Sequence, residues 1–507
     1  MVTTRLITQC TLASAAMAKP LYERHPPINA RSPAIQWGGC DFEGPLPVQC
    51  GTLGVPLDYT DPSANQTLDL SLSKVAAVNE PFKGSILFNF GGPGYPAVES
   101  LAALGELLHN MTGGHHDLIA FDPRGTGKTI PFSCFDTPEE RELATAKYPL
   151  SVADATDVAL GDGWANGAVI ANICGEKRKD IGGLVGTAFV ARDIMQIVDA
   201  LGEDGLLRFW GMSYGSTLGA TVAAMFPDRM DRVILDGVVN SHSYFQDPGL
   251  DVDQFLGADR SWTAYLEECI KAGDKCPLSH LASTAEELDE TLFKVLEEYR
   301  QNPVAIGDTV LTYSLLLTLY YVNIKSVGAP AAGAEIINNV VTRDNLTAVA
   351  EYIDVTTKGI EIGSEATFGI KCSDTVGREP DRQSAMPHIE QLLESSSKFG
   401  AILPSNAVVC AQWPFEAKER YSGDFEVKTP NPVLFLANTY DPATSIESAR
   451  LMSSSFEGSV VVEQKGFGHG SISQPSACTF KAIRDYFANG VIPDNDIECE
   501  VDTPLFA

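Results

Sequence analysis

A serine between two glycines is the residue of this sequence best suited to covalent chemistry. Ser213 lies in the segment Gly211-Met212-Ser213-Tyr214-Gly215, after an apolar run and before small and apolar residues that recur at helical spacing. A strand, a G-x-S-x-G turn and a helix in this order hold a nucleophilic serine clear of the backbone, and the glycines remove side chains that would collide across the turn. The pattern predicts that Ser213 attacks a carbonyl carbon. The alternative is an ordinary turn in which Ser213 caps the helix.

His469 is the predicted general base for this serine. In hydrolases built on such sheets, the nucleophile is followed along the chain by an acid and then by a histidine. His469 is the only histidine after His388, and it lies in the glycine-rich segment that follows the last predicted strand. We therefore expect its imidazole to take the proton of the Ser213 hydroxyl and to return it to the leaving group.

The acid that orients the histidine is predicted at Asp441, and two alternatives stay open. Asp441 follows the apolar strand 432–437 by four residues and precedes Pro442, which stiffens the turn. Asp236 also ends a predicted strand and is the competing candidate, whereas Glu447 lies on the following helix and is less well placed. The expected role of this carboxylate is to hold the imidazole tautomer and to stabilise its charged form.

Backbone N–H groups are expected to bind the oxyanion that forms when the serine attacks. One donor is predicted at Tyr214, the residue directly after the nucleophile. The other is predicted at Gly91 or Gly92, in the loop Gly91-Gly92-Pro93-Gly94, where missing side chains let the backbone approach the substrate. This acyl-transfer chemistry requires no metal and no cofactor.

Two motifs typical of other functions are incomplete. The segment Gly125-Thr126-Gly127-Lys128-Thr129 is similar to the end of a phosphate-binding loop, but Asp122 stands where that loop needs its first glycine. Nucleotide binding is therefore not expected. His115 and His116 are adjacent and point apart, and no further ligand stands at a useful spacing, so no metal site is predicted there.

The charge balance argues against whole classes of partner. The chain of 507 residues carries 66 acidic and 36 basic side chains, a formal net charge of -30. Such a surface repels phosphate backbones and anionic lipid, so neither nucleic-acid nor membrane-surface binding is expected. No run of 18 apolar residues occurs, and no transmembrane helix is predicted. The oligomeric state is left open.

The first residues and the cysteines together predict secretion. Residues 1–18 contain a basic residue followed by small and apolar residues that end in Ala16-Met17-Ala18, which fits a signal peptide and its cleavage site. Removal of Cys10 with this segment leaves ten of the eleven cysteines, an even number that suits disulfides. Cys40 and Cys50 bracket a short loop and are expected to pair. Sequons compatible with glycosylation stand at Asn65, Asn110 and Asn345. A cytoplasmic enzyme with buried thiols is the alternative.

Alternating strand and helix patterns predict an α/β fold with a mostly parallel sheet of about eight strands. The predicted strands are approximately 53–57, 68–75, 84–90, 117–121, 206–210, 232–235, 432–437 and 459–463. The predicted helices include 97–108, 186–201, 262–272, 285–300, 311–322, 383–397 and 478–488. The long insertion lacks a strand rhythm. The expected organisation is a first core part at 36–240, a helical lid or substrate domain at 241–428, and a second core part at 429–507.

Five motifs in this order resemble the secreted α/β-hydrolases of the tripeptidyl aminopeptidase and prolyl iminopeptidase group. They are NFGGPG at 89–94, DLIAFDPRGTG at 117–127, GMSYGSTLG at 211–219, LANTYDPAT at 436–444 and GFGHG at 466–470. The closing segment, CTFKAIRDYFANGVIPDNDIEC, is similar to the TAP-like C-terminal region of that group. The resemblance implies an α/β-hydrolase sheet with a helical lid, and release of residues from peptide N-termini. It implies Ser213 as nucleophile, Asp441 as acid and His469 as base.

The resemblance also bears on the disulfides. It implies the pairs Cys372–Cys410 and Cys478–Cys499. Proximity along the chain favours the pairs Cys134–Cys174 and Cys269–Cys276.

The sequence departs from that group after the glycine-rich loop. Tyr95-Pro96-Ala97 replaces the serine-glycine turn that usually follows, so Tyr95 is expected to face the substrate. An exopeptidase also needs a lid acid to hold a free ammonium group, and Asp374 is one candidate among the many acids of the lid. Because folds of this kind carry many activities, two other functions stay open. One is an esterase, amidase or lactonase acting on a small molecule, and the other is an inactive binding protein.

Overall fold

The computed structural model describes residues 34–61, 63–246 and 252–507, except for the side chains of 246 and 356–364. The predicted signal peptide, 1–18, lies outside the described residues. Twelve strands occur in the described ranges: β1 Gln36–Gly39, β2 Val48–Pro56, β3 Thr67–Val75, β4 Ser85–Asn89, β5 Asp117–Phe121, β6 Leu207–Met212, β7 Met230–Asp236, β8 Val304–Ile306, β9 Thr309–Leu311, β10 Leu434–Tyr440, β11 Val460–Phe467 and β12 Ile497–Glu500.

Ten of these strands form one mixed sheet in the order β1-β2-β3-β5-β4-β6-β7-β10-β11-β12. The first three pairings are antiparallel, and every pairing from β5 to β12 is parallel. The strands β4, β6, β7, β10 and β11 therefore end at the same edge of the sheet. In open α/β sheets this carboxyl edge is where ligands bind.

The predicted number of strands, about eight, is too low. Each of the eight predicted strands overlaps an observed one, but the two outermost strands, β1 and β12, were not predicted. Both have only four residues, most of them exposed or half-buried. A short edge strand buries neither face fully, so its sequence carries little apolar alternation for a pattern to detect.

The helices of the described ranges are α1 Ala97–Thr112, α2 Pro138–Lys147, α3 Ala159–Lys177, α4 Thr187–Leu201, α5 Tyr214–Met225, α6 Ser241–Gln246, α7 Ala258–Ala272, α8 Ala285–Gln301, α9 Tyr313–Lys325, α10 Pro330–Thr342, α11 Leu346–Asp374, α12 Arg382–Glu394, α13 Pro404–Cys410, α14 Ile446–Ser454 and α15 Ala477–Asn489. Every predicted helix overlaps one of these. The longest, α11, was not predicted, because its sequence contains Thr356, Thr357 and Gly359, which lower helix propensity. A bilayer-spanning helix would need a longer apolar stretch than any helix in the described ranges has.

Helices cover both faces of the sheet, which explains why its central strands are apolar throughout. All residues of β4 and β6 are buried. Side chains of these strands alternate between two cores. Phe88, Trp210 and Leu436 belong to the core that includes residues of α1 and α15, whereas Leu87, Phe209 and Phe435 belong to the core that includes residues of α4 and α5. A strand buried on both faces has a continuous apolar sequence.

Between β7 and β10 about two hundred residues add no strand to the main sheet. The segment is mostly helical, from α6 to α13, but it is not wholly so. β8 and β9 form a separate antiparallel hairpin joined by Gly307-Asp308. The expectation that this segment lacks strands is therefore wrong, and the two-residue connection beginning with glycine was the signal for a hairpin.

Five disulfides link all ten cysteines of the described residues. They are Cys40–Cys50, Cys134–Cys174, Cys269–Cys276, Cys372–Cys410 and Cys478–Cys499. These are the five predicted pairs. Such a set of disulfides is typical of proteins that fold in an oxidising compartment.

Candidate active site

Ser213 occupies a strained turn between β6 and α5. Its φ is 57° and its ψ is −125°, in the half of conformational space that residues with a side chain rarely enter. Both flanking glycines are required by close contacts. A Cβ at Gly211 would overlap the carbonyl oxygen of Gly215, and a Cβ at Gly215 would lie 2.5 Å from the carbonyl oxygen of Asn89. The turn therefore has the geometry predicted for a nucleophile elbow.

The glycine-rich loop after β4 packs directly against this turn. A Cβ at Gly91, which has a φ of +94°, would lie 2.7 Å from the Cβ of Ser213 and 3.2 Å from the backbone nitrogen of Tyr214. The Gly91 N–H donates to the Asn89 side chain over 3.0 Å, which does not favour its expected role as an oxyanion donor. Among the described residues, neither the Gly92 N–H nor the Tyr214 N–H meets an acceptor, and both residues line the same cavity.

The buried Asp441 and the partly buried His469 form a pair at the ends of β10 and β11. The His469 Nδ1 lies 2.9 Å from Oδ2 and 3.1 Å from Oδ1 of Asp441. The same carboxylate accepts the N–H groups of Ala443, Thr444 and Gly470, and the Thr444 hydroxyl, over 2.8–3.0 Å. These bonds fix the carboxylate, which in turn holds the proton of the imidazole on Nδ1 and leaves Nε2 as the proton acceptor.

The contacts of Asp441 keep its carboxylate ionised although it is fully buried. Burial acts to raise its pKa, but the His469 imidazole and the backbone N–H donors outweigh burial, and the pKa lies below the ordinary value. A carboxylate that stays negative can stabilise a positively charged imidazolium.

Ser213 and His469 line one cavity at the carboxyl edge of the sheet, together with Thr444. Within the described residues no hydrogen bond joins the Ser213 hydroxyl to the imidazole. Such contacts are commonly long in the absence of substrate and tighten when it binds.

The two competing acids lie elsewhere. Asp236 is buried, accepts the N–H and hydroxyl of Ser471 over 2.9 and 2.6 Å, and accepts the Trp210 indole N–H over 3.3 Å. It thereby holds the loop that carries the histidine without contacting the histidine ring. Glu447 is half-exposed and pairs with Arg260 at 2.8 Å. Of the three candidate acids, Asp441 is therefore the one that contacts the imidazole.

Asp236 should also affect stability. Burial raises the pKa of Asp236 from 3.8 to about 6, so the folded protein favours the protonated carboxyl. The stabilisation of the folded state by the protonated Asp236 is fully present below about pH 4 and is lost as the pH rises through about 6. We expect the free energy of unfolding of the wild type to fall, relative to that of Asp236→Asn, by on the order of 3 kcal/mol across this window. Urea unfolding at several pH values measures the difference, and a constant difference would contradict the prediction.

Asp374 does not lie on the cavity wall. It is fully buried, and its carboxylate accepts the N–H and hydroxyl of Thr187 and the Tyr244 hydroxyl, the last over 3.0 Å. Burial raises its pKa to about 6. Its acceptor positions are thus used inside the protein, behind Tyr214 and Tyr244, and the prediction that it binds a substrate amine is not supported.

Tyr95 also differs from expectation. Its side chain is 46% exposed, and it is not among the described residues that line the cavity. A Cβ at Gly92 would lie 3.0 Å from its ring. Tyr95 thus flanks the glycine-rich loop on the outside instead of facing the cavity.

The cavity contains polar residues that sequence reasoning missed. They are Asn240, Ser243, Asp253, Lys325, Thr367 and Lys371. All come from the insertion between β7 and β10. Thr444 was also missed, although its position three residues after the predicted acid was a usable signal: its hydroxyl lies 2.8 Å from Asp441 and 3.2 Å from the imidazole Nδ1.

The chain is similar to known proteins over most of its length. Residues 84–303 match the family described as alpha/beta hydrolase fold, and residues 396–499 match the family described as TAP-like protein. The chain is 28% identical to a tripeptidyl aminopeptidase of Streptomyces coelicolor, over 92% of this chain and 86% of that one. It is 25% identical to the serine protease Hip1 of Mycobacterium tuberculosis, over 92% and 91%. It is 24% identical to carboxylesterase B of that species, over 92% and 90%.

The chain thus has an α/β-hydrolase fold with a segment similar to TAP-like proteins, and it is an enzyme of the serine hydrolase class.

Proposed function

We propose that this serine hydrolase uses Ser213, His469 and Asp441 as a catalytic triad and releases residues from peptide N-termini. The observation that carries the proposal is the meeting of a strained serine turn and the Asp441–His469 pair at one cavity. The name of the tripeptidyl aminopeptidase among its relatives supports the substrate class.

The reaction follows from the positions of these groups. The Ser213 hydroxyl attacks the substrate carbonyl carbon while His469 Nε2 takes its proton. Asp441 stabilises the resulting imidazolium, and the N–H groups of Tyr214 and Gly92 bind the oxyanion. The tetrahedral intermediate collapses to an acyl-enzyme when His469 donates the proton to the leaving amine. Water, deprotonated by His469, then hydrolyses the acyl-enzyme and restores the serine.

We assign recognition of the substrate ammonium group to Asp253 in place of Asp374. Of the described residues that line the cavity, Asp253 is the single acid. Its carboxylate accepts a hydrogen bond from the Asn240 side chain, which orients it. A carboxylate held in this way forms a charge-assisted hydrogen bond with a free N-terminus.

An esterase acting on a small molecule is the second candidate. Two lysines, Lys325 and Lys371, and a single acid are among the described residues that line the cavity. One relative is named carboxylesterase B. Assays of aminoacyl and tripeptidyl arylamides beside short acyl esters separate the two activities. Ester turnover without arylamide turnover would exclude the peptidase.

Asp253→Asn is expected to reduce the preference for a free N-terminus. Loss of a hydrogen bond to a charged group should lower the ratio of kcat/KM for free to N-acetylated tripeptidyl arylamide by about 10- to 100-fold. The matched control is Asp308→Asn, an exposed acid in the β8–β9 turn, which should leave this ratio unchanged. An unchanged ratio for Asp253→Asn would remove Asp253 from the recognition of the amine.

We also propose that the protein is secreted. We further propose that residues 241–428 act as a lid and substrate domain between the core parts 36–240 and 429–507. Five disulfides support an oxidising compartment, and the asparagines of all three sequons are exposed. Residues of the insertion line the cavity, which supports its role in substrate binding.

A further inference from the structure

Lys325 connects the insertion to the catalytic histidine. It is the last residue of α9, and its carbonyl oxygen accepts the backbone N–H of His469 over 2.9 Å. Its side chain lines the cavity that contains Ser213 and His469. A cationic group thus stands in the substrate cavity, on an element anchored to the histidine loop.

No protein group neutralises this ammonium within the described residues. Among the described residues its side chain makes no hydrogen bond and has no carboxylate within 4.0 Å, whereas Lys398 pairs with Asp289 at 2.6 Å and Lys465 with Glu463 at 3.0 Å. Asp441 attracts it electrostatically, but the oxygens of that carboxylate are already bonded to His469 and to neighbouring N–H and hydroxyl groups. Burial lowers the pKa of Lys325, as expected for an ammonium that lacks a counter-ion.

A second lysine and one acid are the other charged groups among the described residues that line this cavity. Lys371 also lines the cavity, with its Nζ 6.0 Å from the centre of the Tyr244 ring. Asp253 is the only carboxylate among the described lining residues. In a chain with a net charge of -30, a cavity whose described lining holds a single carboxylate and the unpaired Lys325 side chain is suited to an anionic group.

We propose that the substrate carries a carboxylate and that Lys325 binds it beside the reacting carbonyl group. The inference rests on the proposed serine hydrolase mechanism and adds the substrate class: acidic peptides or half-esters of dicarboxylic acids. A lysine is a point charge with three donors, and a carboxylate completes a charge-assisted pair with it. The carboxylate belongs either to the acyl part or to the leaving group, and the two positions can be tested separately.

The test compares matched anionic and neutral substrates. In the acyl arm, the 4-nitrophenyl monoester of glutaric acid is compared with 4-nitrophenyl methyl glutarate. In the leaving-group arm, 3-carboxyphenyl butyrate is compared with 3-carbamoylphenyl butyrate. Lys325→Met should lower the anionic-to-neutral ratio of kcat/KM by about 10- to 100-fold in the arm that matches the natural position. Lys325→Arg, which keeps the charge, should retain most of the ratio.

Lys271→Met is the matched control. Lys271 lies in the same insertion, is exposed and pairs with Glu268 at 2.8 Å, so its replacement removes one charge outside the cavity and should not change the ratio. A ratio that Lys325→Met leaves unchanged in both arms overturns the inference. Labelling of Ser213 by a fluorophosphonate separates this failure from failure of the mechanism. If labelling persists, only the carboxylate assignment is wrong; if wild-type Ser213 is not labelled, the mechanism fails and the inference fails with it.

Discussion

Replacement of Ser213 by alanine is expected to reduce kcat for every ester or amide substrate by about 10⁶-fold. The variant keeps the elbow and the Asp441–His469 pair but lacks the atom that forms the acyl-enzyme. Alanine is smaller than serine, and the Ser213 hydroxyl donates no hydrogen bond among the described residues, so the fold should be retained. Initial rates at saturating substrate, with circular dichroism of the same sample, measure both effects.

Ser454→Ala is the control for this experiment. Ser454 is exposed at the end of α14, and its hydroxyl donates only to the Leu451 carbonyl group, so its loss should leave the rate within a factor of about two. A Ser213→Ala protein that retains more than about 1% of the wild-type rate would show that another group is the nucleophile.

Replacement of Asp441 by asparagine is expected to reduce kcat by about 10⁴-fold. An amide of nearly the same shape can donate to the imidazole, which favours the wrong tautomer, and it cannot stabilise an imidazolium by charge. KM should change much less, because Asp441 is fully buried behind His469. Steady-state kinetics on one ester and one arylamide give both parameters.

Asp236→Asn serves as the comparison, since this residue was the competing acid. It contacts Ser471 and Trp210 instead of the imidazole, so its replacement should cost far less in kcat than that of Asp441. A near-normal rate for Asp441→Asn together with a large loss for Asp236→Asn would transfer the role of the acid to Asp236.

Local chemistry explains why the central residues could be predicted from the sequence. The elbow needs small residues two positions before and after Ser213, and the contacts of Gly211 and Gly215 leave no room for a Cβ. Asp441 and His469 follow apolar strands, and parallel strands bring their carboxyl ends to one edge. The residues that impose these constraints are within a few positions of each site residue, so the pattern can be recognised in a short stretch of sequence.

The substrate side of the cavity could not be predicted, because it depends on how the insertion packs. The insertion contains many acids, and nothing in the sequence around Asp374 indicates that Thr187 and Tyr244 occupy its carboxylate. Asp253 and Lys325 are equally ordinary as sequence, and only the fold places them at the cavity.

The hydrogen-bond donors of the loop that contains Gly91 and Gly92 also could not be predicted in full from the sequence. The sequence around Gly91 and Gly92 predicts an oxyanion loop, but which N–H is available depends on the side chain of Asn89, which bonds to Gly91. The edge strands β1 and β12 were missed for a related reason. Their pairing is determined by the neighbouring strands more than by their own residues.

Reaction of the protein with a fluorophosphonate, followed by mass spectrometric mapping of the modified residue, tests the central claim most directly. Such a probe forms a covalent bond only with a serine that its surroundings activate. We expect one adduct, on Ser213, formed far more slowly in Asp441→Asn and absent from Ser213→Ala. An adduct on another serine, or no adduct on the folded wild-type protein, would contradict it.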